Sequence, residues 1–296
     1  MIVIGSRGSQ LALWQARWVA ARLAELGEET RIEIIKTTGD RVTDVPLGEV
    51  GSKGLFTKEI EDALLDGSVD LAVHSLKDMP TELPAGLVLA AIPEREDVRD
   101  ALIGRRLNDL AHGARVGTGS LRRAAQLRSL RPDLEVLGIR GNVDTRLRKL
   151  DEGQYDAIML AAAGLRRLGW DARISQYFDP SEICPAAGQG ALAIETQESK
   201  RGLAARLNDT DTNLAVRAER TLLGALGGGC QVPVGAHARL EGKLLQLRAI
   251  VASADGTQIV RALFVGEADA PEELGRRVAD HLLEHGAREL LSEGGH

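Results

Sequence analysis

The chain alternates short apolar runs with stretches whose apolar residues recur at helical spacing, and this rhythm predicts strands and helices in turn. Strands are expected at residues 2–4, 31–36, 71–73 and 86–91. Between the first two, Leu11, Trp14, Trp18 and Leu23 fall near one face of a helix, and residues 56–65 return to helical spacing. The charged stretch Pro93-Glu94-Arg95-Glu96-Asp97 breaks the rhythm and reads as a crossing between domains. From about Ala101 the alternation restarts, with a strand ending at Gly117 and further strands at 135–139 and 155–161, each followed by a turn or helix start. Pro185-Ala186-Ala187-Gly188-Gln189-Gly190 is a second crossing, and the strand expected at 191–195 is placed to return to the first sheet. After Asp211 the pattern changes to a helix at 214–226, strands near 232–240, 244–252 and 258–265, and a closing helix from about 271 to 291. Ala254-Asp255-Gly256 is the hairpin turn among those strands.

This order predicts an α/β protein with two periplasmic-binding-protein-like lobes and a third, smaller α+β domain. The expected divisions are residues 1–94 plus about 189–207, then 95–188, then 208–296. Two crossings put the expected ligand in the cleft between lobes. Residues 40–51, rich in glycine and loop formers, are expected to be mobile.

Composition narrows the function. Aromatic residues are only 3% of the chain against 44% hydrophobic, so the cores must be aliphatic and few rings are left to stack on bases. The net charge of −6 argues against nucleic acid or a membrane surface as partner. No apolar run reaches membrane-spanning length and Met1 leads straight into a strand, so a cytoplasmic location is expected. Cys184 and Cys230 match neither a disulfide framework nor a zinc spacing, which suits a reducing compartment and no metal site.

Against that acidic background one region is strongly basic. Between Arg115 and Lys149 nine basic residues face three acidic ones, and arginine dominates. A planar guanidinium binds carboxylate or phosphate in bidentate fashion, so arginines at successive strand ends point to a polyanionic ligand. Arg7, in the turn before the first helix, and Lys53 add to that charge. Ser75, Lys77 and Asp78 follow the strand at 71–73, where open α/β sheets place their chemistry. Taken alone, Asp78 either caps a turn or does chemistry. His74, inside the strand, reads as structural. Cys230 follows three glycines and has no histidine near it in sequence, so it is either a buried thiol in a tight turn or an open anchor for something covalent.

Several of these segments, in order, resemble the porphobilinogen deaminase (hydroxymethylbilane synthase) family. They are Ser6-Arg7-Gly8-Ser9-Gln10-Leu11-Ala12-Leu13-Trp14-Gln15, Lys53-Gly54-Leu55-Phe56, His74-Ser75-Leu76-Lys77-Asp78-Met79-Pro80, Gly117-Thr118-Gly119-Ser120-Leu121-Arg122-Arg123, Ile139-Arg140-Gly141-Asn142-Val143-Asp144-Thr145-Arg146-Leu147, Pro185-Ala186-Ala187-Gly188-Gln189-Gly190 and Gly228-Gly229-Cys230-Gln231-Val232-Pro233. The resemblance implies a transferase that deaminates four porphobilinogen units and couples them head to tail into hydroxymethylbilane, for tetrapyrrole and heme biosynthesis. It implies a dipyrromethane cofactor bound covalently to Cys230, with Asp78 as the catalytic carboxylate. Lys77, Asp78, Ser75, Thr118, Ser120, Arg122, Arg123 and Arg140 then fall on cofactor-binding positions. Arg7, Ser9, Lys53, Arg140, Arg146, Arg167 and Gln189 fall on substrate-binding positions. The implied enzyme has a small-molecule substrate, porphobilinogen, needs neither metal nor nucleic acid, and acts as a monomer. Two rival readings share some of these features. A polycarboxylate-binding module would have the lobes and arginines but no use for Cys230 or a third domain, and a thiol-dependent acyl transferase would act on a thioester or amide.

Overall fold

The computed structural model describes residues 1–41, 57–227 and 233–293. In chain order, β1 (Ile2–Ser6), α1 (Gln10–Glu25), β2 (Thr30–Ile34), α2 (Thr38–Arg41), α3 (Lys58–Leu65), β3 (Leu71–Ser75) and β4 (Leu87–Ala91) form the body of a first lobe. A second lobe follows with β5 (Asp100–Ile103), β6 (Arg115–Gly117), α4 (Leu121–Leu130), β7 (Glu135–Leu137), α5 (Val143–Asp151), β8 (Ala157–Ala161), α6 (Ala162–Arg167) and β9 (Ile174–Tyr177). β10 (Leu192–Gln197) returns to the first lobe. The chain ends with α7 (Thr210–Ala225), β11 (Val234–Glu241), β12 (Leu244–Ala252), β13 (Ile259–Glu267), α8 (Pro271–Leu282) and α9 (Arg288–Glu293). By compactness the chain divides into two units: Met1–Glu96 with Gly190–Asn213, and Asp97–Gln189 with Leu214–His296.

The two lobes share one plan. Their five-stranded sheets run in the orders β2-β1-β3-β10-β4 and β7-β6-β8-β5-β9. In each, the fourth strand is antiparallel and is the one that follows a crossing segment: β10 after residues 185–190, β5 after residues 93–99. The sheet that holds the strand at Leu71 is therefore mixed, although an apolar run of this kind is also what a parallel sheet produces. The strand is parallel to β1 and antiparallel to β10. A strand buried on both faces has the same apolar signature whichever way its neighbour runs.

The first helix buries a different face from the one expected. Ser9 caps α1 by accepting from the Ala12 amide at 3.3 Å, and Ala12, Gln15, Ala16, Val19 and Leu23 are buried. Leu11, Trp14 and Trp18 are only half-buried. Ala16 is small enough to bring the helix backbone close to Ile4, Leu71 and Val73, whereas a Trp side chain would hold it away. On the other face of that sheet Ile60 and Leu64 of α3 pack on Val69, Ala72 and Leu87.

The last domain is the expected α+β unit, an antiparallel β11-β12-β13 sheet whose core joins Ala218 and Leu222 of α7 to Leu274, Val278 and Leu282 of α8. Its other face meets the second lobe, where Ile250, Ala252 and Ile259 pack on Ala125 and Cys184. The expected single closing helix is broken, because Gly286 adopts φ 106° between α8 and α9. The expected mobile stretch at 40–51 lies, apart from Asp40 and Arg41, outside the described residues.

Candidate active site

β1 and β3 are parallel neighbours, so their carboxyl ends open on one edge of the first sheet. Arg7 and Ser9 follow β1, Ser75 ends β3, and Leu76–Asp78 form a single 3-10 turn beyond it. The turn is held by its apolar residues: Leu76 and Met79 are buried, and the Leu76 amide donates to the Ala191 carbonyl at 3.0 Å. Burying those two leaves Asp78 exposed and Lys77 half-buried. The Ser75 hydroxyl accepts from Gln15 Nε2 at 2.9 Å, which ties α1 to the same edge. Arg7, Ser9, Ser75, Lys77 and Asp78 are thus brought to one edge, while Ser9 also serves as a helix cap.

Behind that edge lies a buried polar group. His74 Nε2 is 3.1 Å from Glu195 Oε2 on β10, off the direction of a hydrogen bond, and both side chains are nearly inaccessible. Glu61 of α3 is buried nearby, and burial pushes its carboxyl above the usual glutamate value, with Glu195 adding to the shift. His74 therefore packs against the Glu195 carboxylate behind that edge.

In the second lobe β6, β7 and β8 are parallel and also end on one edge. After β6 the Thr118 amide donates to the Leu137 carbonyl at 2.9 Å, the Ser120 amide to Thr118 Oγ1 at 3.2 Å, and the Arg123 amide to Ser120 Oγ at 3.4 Å. Ser120 is therefore the hydroxyl cap of α4. A Cβ on Gly119 would stand 2.8 Å from the Ile139 carbonyl oxygen, so this turn has no room for a side chain. Arg140 follows β7, half-buried, and Arg146 Nε donates to the Gly141 carbonyl at 2.7 Å. Arg167 ends α6 and is 8% exposed.

Arg122, Arg123 and Gln189 are brought together by a residue the sequence reading did not single out. Asp100 opens β5, is fully buried, and accepts from Arg122 at 2.7 Å, Arg123 Nε at 2.7 Å and Gln189 Nε2 at 3.0 Å. Burial alone would push its carboxyl up, yet the two guanidiniums hold it well below the usual carboxylate range. The available signal was an acid opening an otherwise apolar strand, Asp100-Ala101-Leu102-Ile103, which must be paired if the strand is buried.

The cysteines separate. Cys184 is fully buried, its thiol pushed up to about 12 by that burial, so it is a poor nucleophile. Cys230 and Lys53 lie outside the described residues.

A family model described as porphobilinogen deaminase, dipyromethane cofactor binding domain, matches residues 2–205, and one described as porphobilinogen deaminase, C-terminal domain, matches residues 213–284. The chain belongs to the porphobilinogen deaminase family. A porphobilinogen deaminase from Syntrophobacter fumaroxidans (strain DSM 10017 / MPOB) is 53% identical over 301 residues, covering 99% of this chain and 97% of its own. One from Geobacillus kaustophilus (strain HTA426) is 52% identical over 300 residues, covering 98% and 96%. Among solved structures, an ABC transporter periplasmic substrate-binding protein from Coxiella burnetii is 15% identical at a TM-score of 0.42, covering 70% of this chain and 92% of that one.

The matching family model names a dipyrromethane cofactor. The donor set fits such a group lobe by lobe. The first offers the Ser75 hydroxyl, the Lys77 ammonium and the Asp78 carboxylate. The second offers the Thr118 and Ser120 hydroxyls beside a turn closed to a Cβ, with Arg140 and Arg146 on the same edge. Cations and hydroxyls suit carboxylates, and a carboxylate suits pyrrole N–H groups. Among the described residues no group of His, Cys, Asp and Glu side chains is arranged to hold a metal ion.

Proposed function

We propose that the chain releases ammonia from porphobilinogen and couples four units head to tail onto a dipyrromethane primer joined through a thioether to Cys230, after which water cleaves the bond between the primer and the four-unit chain and releases hydroxymethylbilane. The observation that carries this reading is the full-length match at about half identity to porphobilinogen deaminases. Asp78 supports the chemistry. Loss of ammonia from the aminomethyl group of porphobilinogen leaves a cation spread over its pyrrole ring, and an exposed carboxylate on a turn pinned by Leu76 and Met79 stabilises developing positive charge without having to reorganise. The same oxygens accept from pyrrole N–H groups and take up the proton lost when two rings join. When bound, dipyrromethane supplies the pyrrole carbon that receives the first unit. Arg7, Arg140, Arg146 and Arg167 neutralise substrate carboxylates, two per pyrrole, while Lys77, Ser75, Thr118, Ser120, Arg122 and Arg123 hold those of the cofactor. The heavily buried, un-ionised thiol of Cys184 supports assigning the thioether to Cys230, the other cysteine in the sequence.

The reading includes a cytoplasmic location, which the need for a reduced thiol supports, and a single working chain. It keeps residues 1–94 plus about 189–207, 95–188 and 208–296 as functional domains, each with its own sheet. Asp78→Ala is expected to lower ammonia release from porphobilinogen by roughly a hundredfold or more with an unchanged circular dichroism spectrum. Normal turnover in that variant contradicts the assignment, and no ammonia release by the wild-type chain contradicts the function.

A further inference from the structure

We propose that Asp100 is a positioning residue for carboxylate recognition, a buried anion that fixes the Arg122–Arg123 pair in the orientation from which it meets its ligands. The inference rests on the porphobilinogen deaminase reading above, in which those arginines hold carboxylates.

Arg122 and Arg123 are consecutive residues in the first turn of α4, and two guanidiniums placed so close repel one another. Left to themselves, such side chains spread into many rotamers, and each would have to be ordered when a ligand arrives. Asp100 removes that freedom. Its two oxygens divide between the pair, Oδ2 to Arg122 and Oδ1 to Arg123. All three residues are at most 5% exposed, so the charges act at low local dielectric.

A second layer fixes Asp100 in turn. Gln189 donates to Asp100 Oδ1 at 3.0 Å and to the Val98 carbonyl at 2.7 Å, and its own Oε1 lies 3.5 Å from Arg122 and 3.4 Å from Arg123. The Cys184 carbonyl accepts from Arg122 at 2.5 Å and from Gln126 at 3.1 Å, and Gln126 Oε1 accepts from the Cys184 amide at 2.7 Å. The residues flanking both crossings, Val98 and Gln189, are therefore bonded into the same network that aims the arginines. With its amide engaged in these bonds, Gln189 acts on the ligand through Asp100 and the arginines.

These arginines hold the carboxylates of the cofactor, so a group that orders them is read in the fraction of folded chains that carry it. A residue that only holds the fold together lowers thermal stability and leaves the folded chains loaded. The experiment is intact-mass measurement of folded Asp100→Asn, which reports the fraction of chains that carry the cofactor. The expected result is a loaded fraction lowered about tenfold. Gln189→Met keeps the volume and adds no charge. It is expected to lower the loaded fraction roughly threefold, and it decides the question if Asp100→Asn fails to fold. Full cofactor retention in the folded variant overturns the proposal. Failure of the wild-type chain to release ammonia overturns the functional reading instead.

Discussion

At the scale of single residues, two buried acids do opposite things. Asp100 is matched by guanidiniums and stays ionised, while Glu61 sits near Glu195 with its carboxyl pushed up, first by burial. The folded chain therefore keeps the Glu61 proton to higher pH than the unfolded chain, whose glutamate titrates near 4.5. Whatever this group contributes is present below that pH and is lost as pH rises through the folded-state value. Glu61→Gln, which cannot ionise, is expected to match the wild-type melting temperature near the bottom of that window and to exceed it at neutral pH. Melting curves for the two proteins that stay parallel across the window would rule this out. Neither acid was legible in the sequence. Glu61 looks like one of several charges on an amphipathic helix, and Asp100 like the end of a charged linker; only the closure of each sheet over them makes them special. Asp78 stands at a strand end where chemistry is often placed, but alone it reads equally as a turn cap, and only its match to the family motif points to catalysis.

Elements were legible where one property decided them. The apolar runs at β1, β3 and β8 are buried on both faces, and the Ser120 hydroxyl marks where α4 begins. β9 gave no such signal, because Ile174–Tyr177 is a half-buried edge strand with polar Ser175 and Gln176 at its centre. The break between α8 and α9 was missed for a related reason, since helical periodicity continues across one glycine. The β12-β13 hairpin carries the sharpest constraint. Gly256 has φ 77°, and a Cβ there would stand 2.2 Å from the Ala125 carbonyl oxygen on α4. Gly256→Ala thus combines left-handed strain with a backbone clash, and urea unfolding is expected to show a loss of about 2 kcal/mol or more. Stability unchanged within error would mean that the hairpin does not pack on α4 as described.

At the scale of the whole molecule, the two crossings are legible as a charged break at residues 93–97 and a break of glycine, alanine and proline at 185–190. What does not follow is that the second lobe and the last domain form one compact unit. That union joins an apolar contact among Ala125, Cys184, Ile250 and Ala252 to hydrogen bonds from the Ala236 amide to the Pro185 carbonyl at 2.9 Å and from the Gly188 amide to Glu219 at 2.7 Å, residues that nothing in the sequence marks as an interface. It also gives Cys184 its place, as a packing thiol whose carbonyl accepts from Arg122 and Gln126. The central claim concerns the other cysteine: that the working protein carries its own primer, built from its substrate and fixed at Cys230. The intact mass of the purified, active chain tests it most directly. The mass is expected to exceed that of the 296-residue sequence by two porphobilinogen-derived units, and Cys230→Ser is expected to return the sequence mass with loss of activity. A fully active wild-type chain with the unmodified sequence mass would contradict the account.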